Sequence, residues 1–115
     1  MTFSIMTAQS YARPLPAWKI LAACCEILGT TPGDLRRYDS RPYVSDRRHI
    51  VAVELYRAGY VSREVGAILF RDGATIRTSM NQYLHFYRYD PAFRALAMAV
   101  DEAVQALLTS EPIEI

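Results

Sequence analysis

Side chains that can hydrogen-bond to nucleic acid are concentrated between positions 70 and 82 of this 115-residue chain. The sequence there, FRDGATIRTSMNQ, offers guanidinium donors, hydroxyl groups and carboxamides within a short span. Such groups can donate to phosphate oxygens and can read base edges in the major groove of DNA. The same residue types also occur on the solvated face of an ordinary amphipathic helix, which is the alternative interpretation.

Two helices joined by a tight turn are predicted around this segment. Ser62 is expected to cap the first helix, and Asp72 is expected to cap a second helix that runs from about Gly73 to Tyr87. Asp72-Gly73 would also suit a β-hairpin turn, but the flanking residues repeat with helical period. The apolar residues at that period are Val65, Ile68 and Leu69 before the turn and Ile76, Met80, Tyr83, Leu84 and Tyr87 after it.

Charge is distributed unevenly along the chain, although the formal net charge is only +1. Residues 36 to 94 contain eleven arginines and six acidic residues, whereas the two flanks together contain two basic and six acidic residues. A basic middle is expected where a protein surface faces phosphates, and arginine binds both phosphate and guanine in bidentate geometry. The charge pattern therefore favours a nucleic-acid partner.

The composition predicts one compact all-α domain of about six helices. Apolar residues make up 51% of the chain, enough for the core of a single domain, and glycine and proline are confined to breaks between helical patterns. We expect this domain to cover residues 14–109, with a loose arm at residues 1–13 and a tail at residues 110–115. Adjacent Cys24 and Cys25 should be core thiols, because neighbouring side chains on a helix diverge and cannot form an unstrained disulfide.

Capping residues predict where the other helices begin and end. Gly29 should stop a first helix that buries Ile27 among other apolar side chains, and Thr31 should cap a short helix over residues 34–37. Residues 38–44 are predicted to form a loop that carries arginines. The further predicted ends are Ser45 and Gly59 for a long helix, and Asp90 with Pro91 for the start of the last helix.

Several short motifs resemble the C-terminal DNA-binding domain (domain IV) of the bacterial replication initiator DnaA, a helix-turn-helix domain of the Trp-repressor-like class. The similarity runs over about residues 17 to 108. The family's signature turn reads roughly Gly-Arg-Asp-His-Thr-Thr-Val, of which this chain keeps Arg71, Asp72, Thr75 and Ile76. The other matching motifs are Gly33-Asp34-Leu35-Arg36-Arg37, Ser40-Arg41, Arg48-His49-Ile50 and Glu64-Val65-Gly66.

The resemblance implies double-stranded DNA binding in a bacterium, in replication or in transcription regulation. The sequence shows neither a signal-peptide pattern nor a membrane-spanning run, which favours a cytoplasmic protein. Base contacts are expected from Arg77, Thr78 and Asn81, a minor-groove contact from Arg41 and phosphate contacts from other arginines. The family's signature His and first Thr correspond to Gly73 and Ala74, so base reading at those two positions should be lost. The complete set of candidate DNA-contacting residues is Arg41, Arg47, Arg48, Ser62, Arg63, Arg71, Asp72, Thr75, Arg77, Thr78 and Asn81.

Other interpretations remain open at this stage. Asp72 is expected to act mainly as a helix cap, and the arginines near position 41 could pair with Asp39 or Asp46 instead of phosphate. A protein-interaction module that keeps the scaffold without reading DNA, with a partner protein or self-association, is the alternative function. No ATPase phosphate loop, catalytic constellation, metal-ligand spacing, cofactor or small-molecule substrate motif, or membrane-spanning stretch is found in the sequence.

Overall fold

The computed structural model describes residues 15–110, with only the backbone of Ser110. The predicted arm at residues 1–13 and nearly all of the predicted tail lie outside the described residues. The described part is a compact all-α domain, as predicted, with a radius of gyration of 13.3 Å. Its six helices are α1 (Ala17–Leu28), α2 (Pro32–Arg36), α3 (Pro42–Arg57), α4 (Ser62–Leu69), α5 (Gly73–Tyr89) and α6 (Pro91–Ser110).

Helix α3 is the centre of the domain and contacts each of the other five helices. Six consecutive residues, Ile50 to Leu55, are buried, so this segment has no solvated face. A helix buried on all sides must lie within the core and not on its surface. The other helices therefore pack around α3, with α1 against α6 on one side and α4 against α5 on another.

Several predicted helix ends are confirmed by their hydrogen bonds. Gly29 ends α1 in the left-handed region (φ 66°), the Thr31 hydroxyl accepts from the amide of Asp34 at 3.1 Å, and the Asp72 carboxylate accepts from the amide of Thr75 at 2.7 Å. Asp90 likewise accepts from the first amides of α6. The predicted core thiols are confirmed too, because Cys24 and Cys25 are free and buried.

Three local predictions are wrong. Helix α3 begins at Pro42, which occupies the first helical position, so residues 42–44 belong to a helix and Ser45 does not cap it. Val61, not Ser62, precedes the first turn of α4, where the Glu64 carboxylate accepts from the Val61 amide at 2.9 Å. Ile27 is 41% exposed, since α1 packs through the neighbouring stripe that includes Leu28.

Glu54 is the least expected core residue. Its side chain on α3 is 1% exposed, and neither carboxyl oxygen has a hydrogen-bond donor among the described residues. Burial, and then the charge of Asp101 and hydrogen bonding to it, raise the pKa of Glu54 to about 8. The nearest cation, Arg57, lies 3.1 Å from Asp101 but 4.0 Å from Glu54. We therefore expect Glu54 to be protonated at neutral pH, where it can donate a hydrogen bond to Asp101.

The stability of the domain should consequently fall as the pH rises towards 8. The unfolded chain loses the Glu54 proton near its ordinary pKa of 4.5, whereas the folded chain holds it up to about 8, so alkaline pH favours unfolding. Between about pH 7 and pH 8 we expect the free energy of unfolding to drop by about 1 kcal/mol, measured by urea titration.

Glu54→Gln tests the origin of this drop, because an amide can donate to Asp101 without ionising. The variant should keep its stability across the same pH range. An unchanged slope in the variant would assign the drop to another group. His49 does not interfere, since burial lowers the pKa of His49 to about 4 and confines its effect to acidic pH, where stability falls as the pH falls.

Candidate nucleic-acid interface

The N-terminal half of α5 presents a polar face to solvent. Ile76, Ser79 and Met80 are buried and fix the rotation of the helix about its axis. The Asp72 cap fixes where the helix starts. The opposite face is exposed along its length, and its side chains are those of Ala74, Thr75, Arg77, Thr78, Asn81 and Gln82.

A close backbone contact fixes α5 relative to α4. The amide of Arg71 donates to the carbonyl of Gly66 at 2.8 Å, and a Cβ placed on Gly66 would lie 2.2 Å from the carbonyl oxygen of Arg71. Only glycine fits at this approach. The chain therefore turns between α4 and α5 within three residues, Phe70 to Asp72.

The first turns of α4 and α5 lie side by side at Gly73. A Cβ placed on Gly73 would be 3.7 Å from the backbone nitrogen and Cα of Arg63, and 3.7 Å from Nη1 of Arg77. The start of α4 and the Asp72-capped start of α5 therefore lie close to a guanidinium group. Arg63 and Arg77 are both exposed, and neither side chain has a hydrogen bond or ion pair with a described residue.

Three arginines hold the C-terminal end of α2 and together form what we call the arginine clamp: Arg36, Arg48 and Arg71. The buried Arg48 side chain, 8% exposed, donates to the carbonyls of Leu35 at 2.9 Å, Asp39 at 3.0 Å and Arg37 at 3.3 Å. The burial lowers the pKa of Arg48, and the charge of Arg71 adds to this effect. Arg48 thus satisfies the carbonyls that the end of a helix leaves without partners.

Arg71 and Arg36 join the same region to the turn before α5. The Arg71 guanidinium donates to the carbonyl of Arg37 at 2.7 Å and to those of Arg36, Leu69 and Phe70 at 3.1 Å. Arg36 donates to the carbonyl of Ile68 at 2.8 Å. These contacts tie α2 to the end of α4, so the predicted phosphate-binding residues Arg48 and Arg71 are engaged within the fold.

The arginines at the start of α3 also have partners within the protein. Arg41 pairs with Asp39, with Nε 3.0 Å from Oδ1, and the hydrogen bonds from Arg41 lower the pKa of Asp39 to about 2. Arg47 donates to the carbonyls of Leu28 at 3.0 Å and Tyr43 at 2.9 Å. The alternative pairing of Arg41 with Asp39 is therefore observed.

The type of partner decides how much positive charge remains at this surface. A carboxylate neutralises an arginine, whereas a carbonyl oxygen satisfies its donors and leaves the net charge in place. Arg37 and Arg41 are paired with Asp34 and Asp39, respectively. The arginines that keep a net charge beside α4 and α5 are Arg36, Arg48, Arg63, Arg71 and Arg77, whereas Arg47 keeps its charge beside the end of α1.

The structural role of Arg48 has a signal in the sequence that the prediction missed. Arg48 lies at helical spacing with Val44, Val51 and Leu55, all of which are buried, so an amphipathic reading of α3 places it inward. The role of Arg71 has no comparable local signal, because its acceptors at Arg36 and Arg37 are 35 and 34 residues away. Its environment depends on tertiary packing.

The polar groups of the described residues do not converge on a metal site, since no group of three or more His, Cys, Asp or Glu side chains could hold an ion. Within residues 15–110, none of the helices is long and apolar enough to cross a membrane. No protein-family model matches the chain, and no curated protein matches it in sequence.

Proposed function

We propose that the protein binds double-stranded DNA through a helix-turn-helix formed by α4 and α5, in the manner that the resemblance to the DnaA C-terminal domain implies. In such a motif, the first residues of the second helix enter the major groove, while neighbouring helix ends contact phosphates. Binding is the whole of the proposed activity, without ATP hydrolysis. Bacterial replication or transcription regulation is the proposed setting.

The observation that carries this proposal is the exposed pair Arg63 and Arg77 beside the N-termini of two helices. Exposed guanidinium groups that form no ion pair with a described residue are well suited to phosphate. Thr75, Thr78 and Asn81 lie on the same exposed face of α5 and can reach base edges. The Asp72 side chain is engaged as a cap, so its role is to shape the helix start.

The arginine clamp takes a positioning role in this proposal. Arg48 holds the end of α2, and Arg71 ties that end to the turn before α5. Both contribute positive charge without contacting the phosphates of the duplex. Arg41 can reach a groove only if it leaves Asp39, and Arg47 only if it leaves its carbonyl acceptors. The proposed contact surface is therefore smaller than the sequence predicts and consists of Ser62, Arg63, Thr75, Arg77, Thr78 and Asn81.

Arg63→Ala and Arg77→Ala test the proposal. A selection from random duplexes would supply a bound oligonucleotide, and fluorescence anisotropy would measure its affinity over a range of salt concentrations. Each substitution should lower the slope of log affinity against log salt by about one unit, because one phosphate contact is lost. Thr78→Ala or Asn81→Ala should instead change which duplexes are preferred.

Arg88→Ala is the matched control. Arg88 is an exposed arginine on the same helix, about 16 Å along the axis from Arg77, and its substitution should leave the slope unchanged. Absence of duplex binding at low salt would refute the proposal, and equal losses from Arg77→Ala and Arg88→Ala would refute the proposed orientation.

A protein-interaction module is the second candidate function, and exposed apolar residues favour it. Trp18 on α1 is 67% exposed and borders a cleft whose far side includes Leu107 of α6. Met98 on α6 is also exposed. If the chain binds no duplex but sediments as a dimer that Trp18→Ala dissociates, this second function replaces the first.

A further inference from the structure

Two aromatic side chains beside the proposed interface are exposed and lie under arginines. Tyr38, which follows α2, is 98% exposed, and the Arg71 guanidinium carbon is 5.1 Å from its ring centroid. Phe70, in the turn between α4 and α5, is 65% exposed, and the Arg36 guanidinium carbon is 4.9 Å from its ring centroid. Both arrangements are cation–π contacts that leave much of the ring in solvent.

The two pairs are linked through Arg71, and together we call them the aromatic–arginine platform: Tyr38, Phe70, Arg36 and Arg71. Nη1 of Arg71 donates to the carbonyls of both Arg36 and Phe70 at 3.1 Å, so the guanidinium over Tyr38 is bonded to the backbone of the second pair. These bonds hold the platform to the turn that precedes α5. A cleft of about 360 Å³ borders Tyr38 and is lined also by Asp39, Ser40, Ser45, Arg48 and Arg71.

The backbone of Phe70 indicates that its side chain has a use outside the fold. Phe70 adopts φ 59° and ψ 44°, and it is the only non-glycine residue with positive φ among the described residues. Glycine is the usual residue at this position after a helix, since it adopts the left-handed region without strain. At that position the backbone of Phe70 is strained, and its exposed side chain buries little apolar area that could offset the strain.

The chemistry of the platform matches a nucleobase on a phosphodiester chain. Exposed aromatic rings stack on unpaired bases of any sequence, and adjacent guanidinium groups attract the backbone phosphates. Arg36 and Arg71 are bonded to carbonyls, so no acidic partner neutralises them. A base within a duplex cannot present its face, so the partner of this surface must be unpaired.

We propose that the aromatic–arginine platform binds unpaired nucleotides next to the duplex held by α5, so that the protein recognises a junction between double and single strands. This inference rests on the proposed duplex binding. It goes beyond that function because it assigns a second ligand, a single strand, to Tyr38 and Phe70, which the proposed duplex contact does not use.

The test compares two fluorescent DNAs by anisotropy: a blunt duplex, and the same duplex extended by a short oligothymidine strand at either end in turn. The extension should raise the affinity about tenfold at one of the two ends. Tyr38→Ala and Phe70→Gly should each remove most of that gain and leave the affinity for the blunt duplex nearly unchanged.

Phe70→Gly separates a binding role from a structural one. Because glycine relieves the strained backbone, the melting temperature of this variant should stay the same or rise by about 4 °C. A structural phenylalanine would instead lower it when removed. Tyr89→Ala is the matched control, since Tyr89 is 65% exposed under Arg88 at the far end of α5 and should not affect the gain.

The possible results separate the two proposals. Duplex binding without a gain from the extension, or a gain that both variants keep, overturns the platform and leaves the proposed function in place. Binding of the extended duplex alone, lost in both variants, assigns a single strand to the platform but overturns duplex binding and, with it, the proposed junction. Binding of neither DNA overturns both, and a platform that binds protein instead would give that result.

Discussion

Replacing Gly66 by alanine is expected to lower the free energy of unfolding by about 2 kcal/mol or more, which corresponds to a fall of about 10 °C in the melting temperature. The added Cβ would lie 2.2 Å from the carbonyl oxygen of Arg71, and that oxygen is a backbone atom in a three-residue turn. It cannot move away as a flexible side chain could. The better helix propensity of alanine, about 1 kcal/mol, offsets only part of this cost.

Gly33→Ala is the matched control for this substitution. Gly33 also lies in a helix, but a Cβ placed there would meet only the Thr31 hydroxyl, at 3.8 Å. The free energy of unfolding of the Gly33→Ala variant should differ from that of the unchanged protein by about 0.5 kcal/mol or less. Thermal and urea unfolding of the two variants would check the difference. Equal stability of both would contradict the close approach of α4 and α5 at Gly66.

The parts of the fold that follow from local chemistry could be predicted from the sequence. Gly29, Thr31 and Asp72 act on amides or carbonyls within a few residues, so their types and positions suffice to place helix ends. The predicted start of α3 at Ser45 is three residues too late, because proline occurs both in loops and at the first helical position, where Pro42 lies.

For the candidate site, helical periodicity could predict only which side chains of α5 face away from the core. Burial of Ile76 and Met80 implies that Thr75, Arg77 and Asn81 face away from the core, and the structure places them so. Their contact with DNA stays a prediction. The engagement of Arg71 with carbonyls 34 and 35 residues away, and the burial of Glu54 against Asp101, depend on how the helices pack and could not be read from spacing.

The arginine clamp changes how the resemblance to the initiator domain is interpreted. Arg48 and Arg71 both stand at positions that match motifs of a DNA-binding family, yet here they satisfy backbone carbonyls at the end of α2. An arginine that matches a motif can therefore be required by the packing of this chain itself. The exposed residues Arg63 and Arg77 consequently give stronger support to the proposed DNA binding than the arginines that match the motifs.

Replacing Arg48 by alanine should be the most destabilising of the arginine substitutions, with a loss of about 3 kcal/mol. Its guanidinium is buried and provides a hydrogen-bond donor to the carbonyls of Leu35 and Asp39, for which no other donor is observed among the described residues. Leaving a buried carbonyl unpaired costs about 1–3 kcal/mol. The carbonyl of Arg37 keeps Arg71 as a donor in this variant, so the loss of its bond to Arg48 adds less to the destabilisation.

Arg48→Lys and Arg63→Ala distinguish a structural clamp from a loss of charge. Lysine keeps the positive charge but lacks the planar fork that reaches separate carbonyls, so Arg48→Lys should recover little of the lost stability. Arg63 is exposed and without a partner among the described residues, so Arg63→Ala should change stability by about 0.5 kcal/mol or less. Urea unfolding would measure all three variants. A stable Arg48→Ala variant that binds duplex DNA poorly would contradict the structural role of Arg48. The result would indicate that Arg48 contacts a phosphate of the DNA.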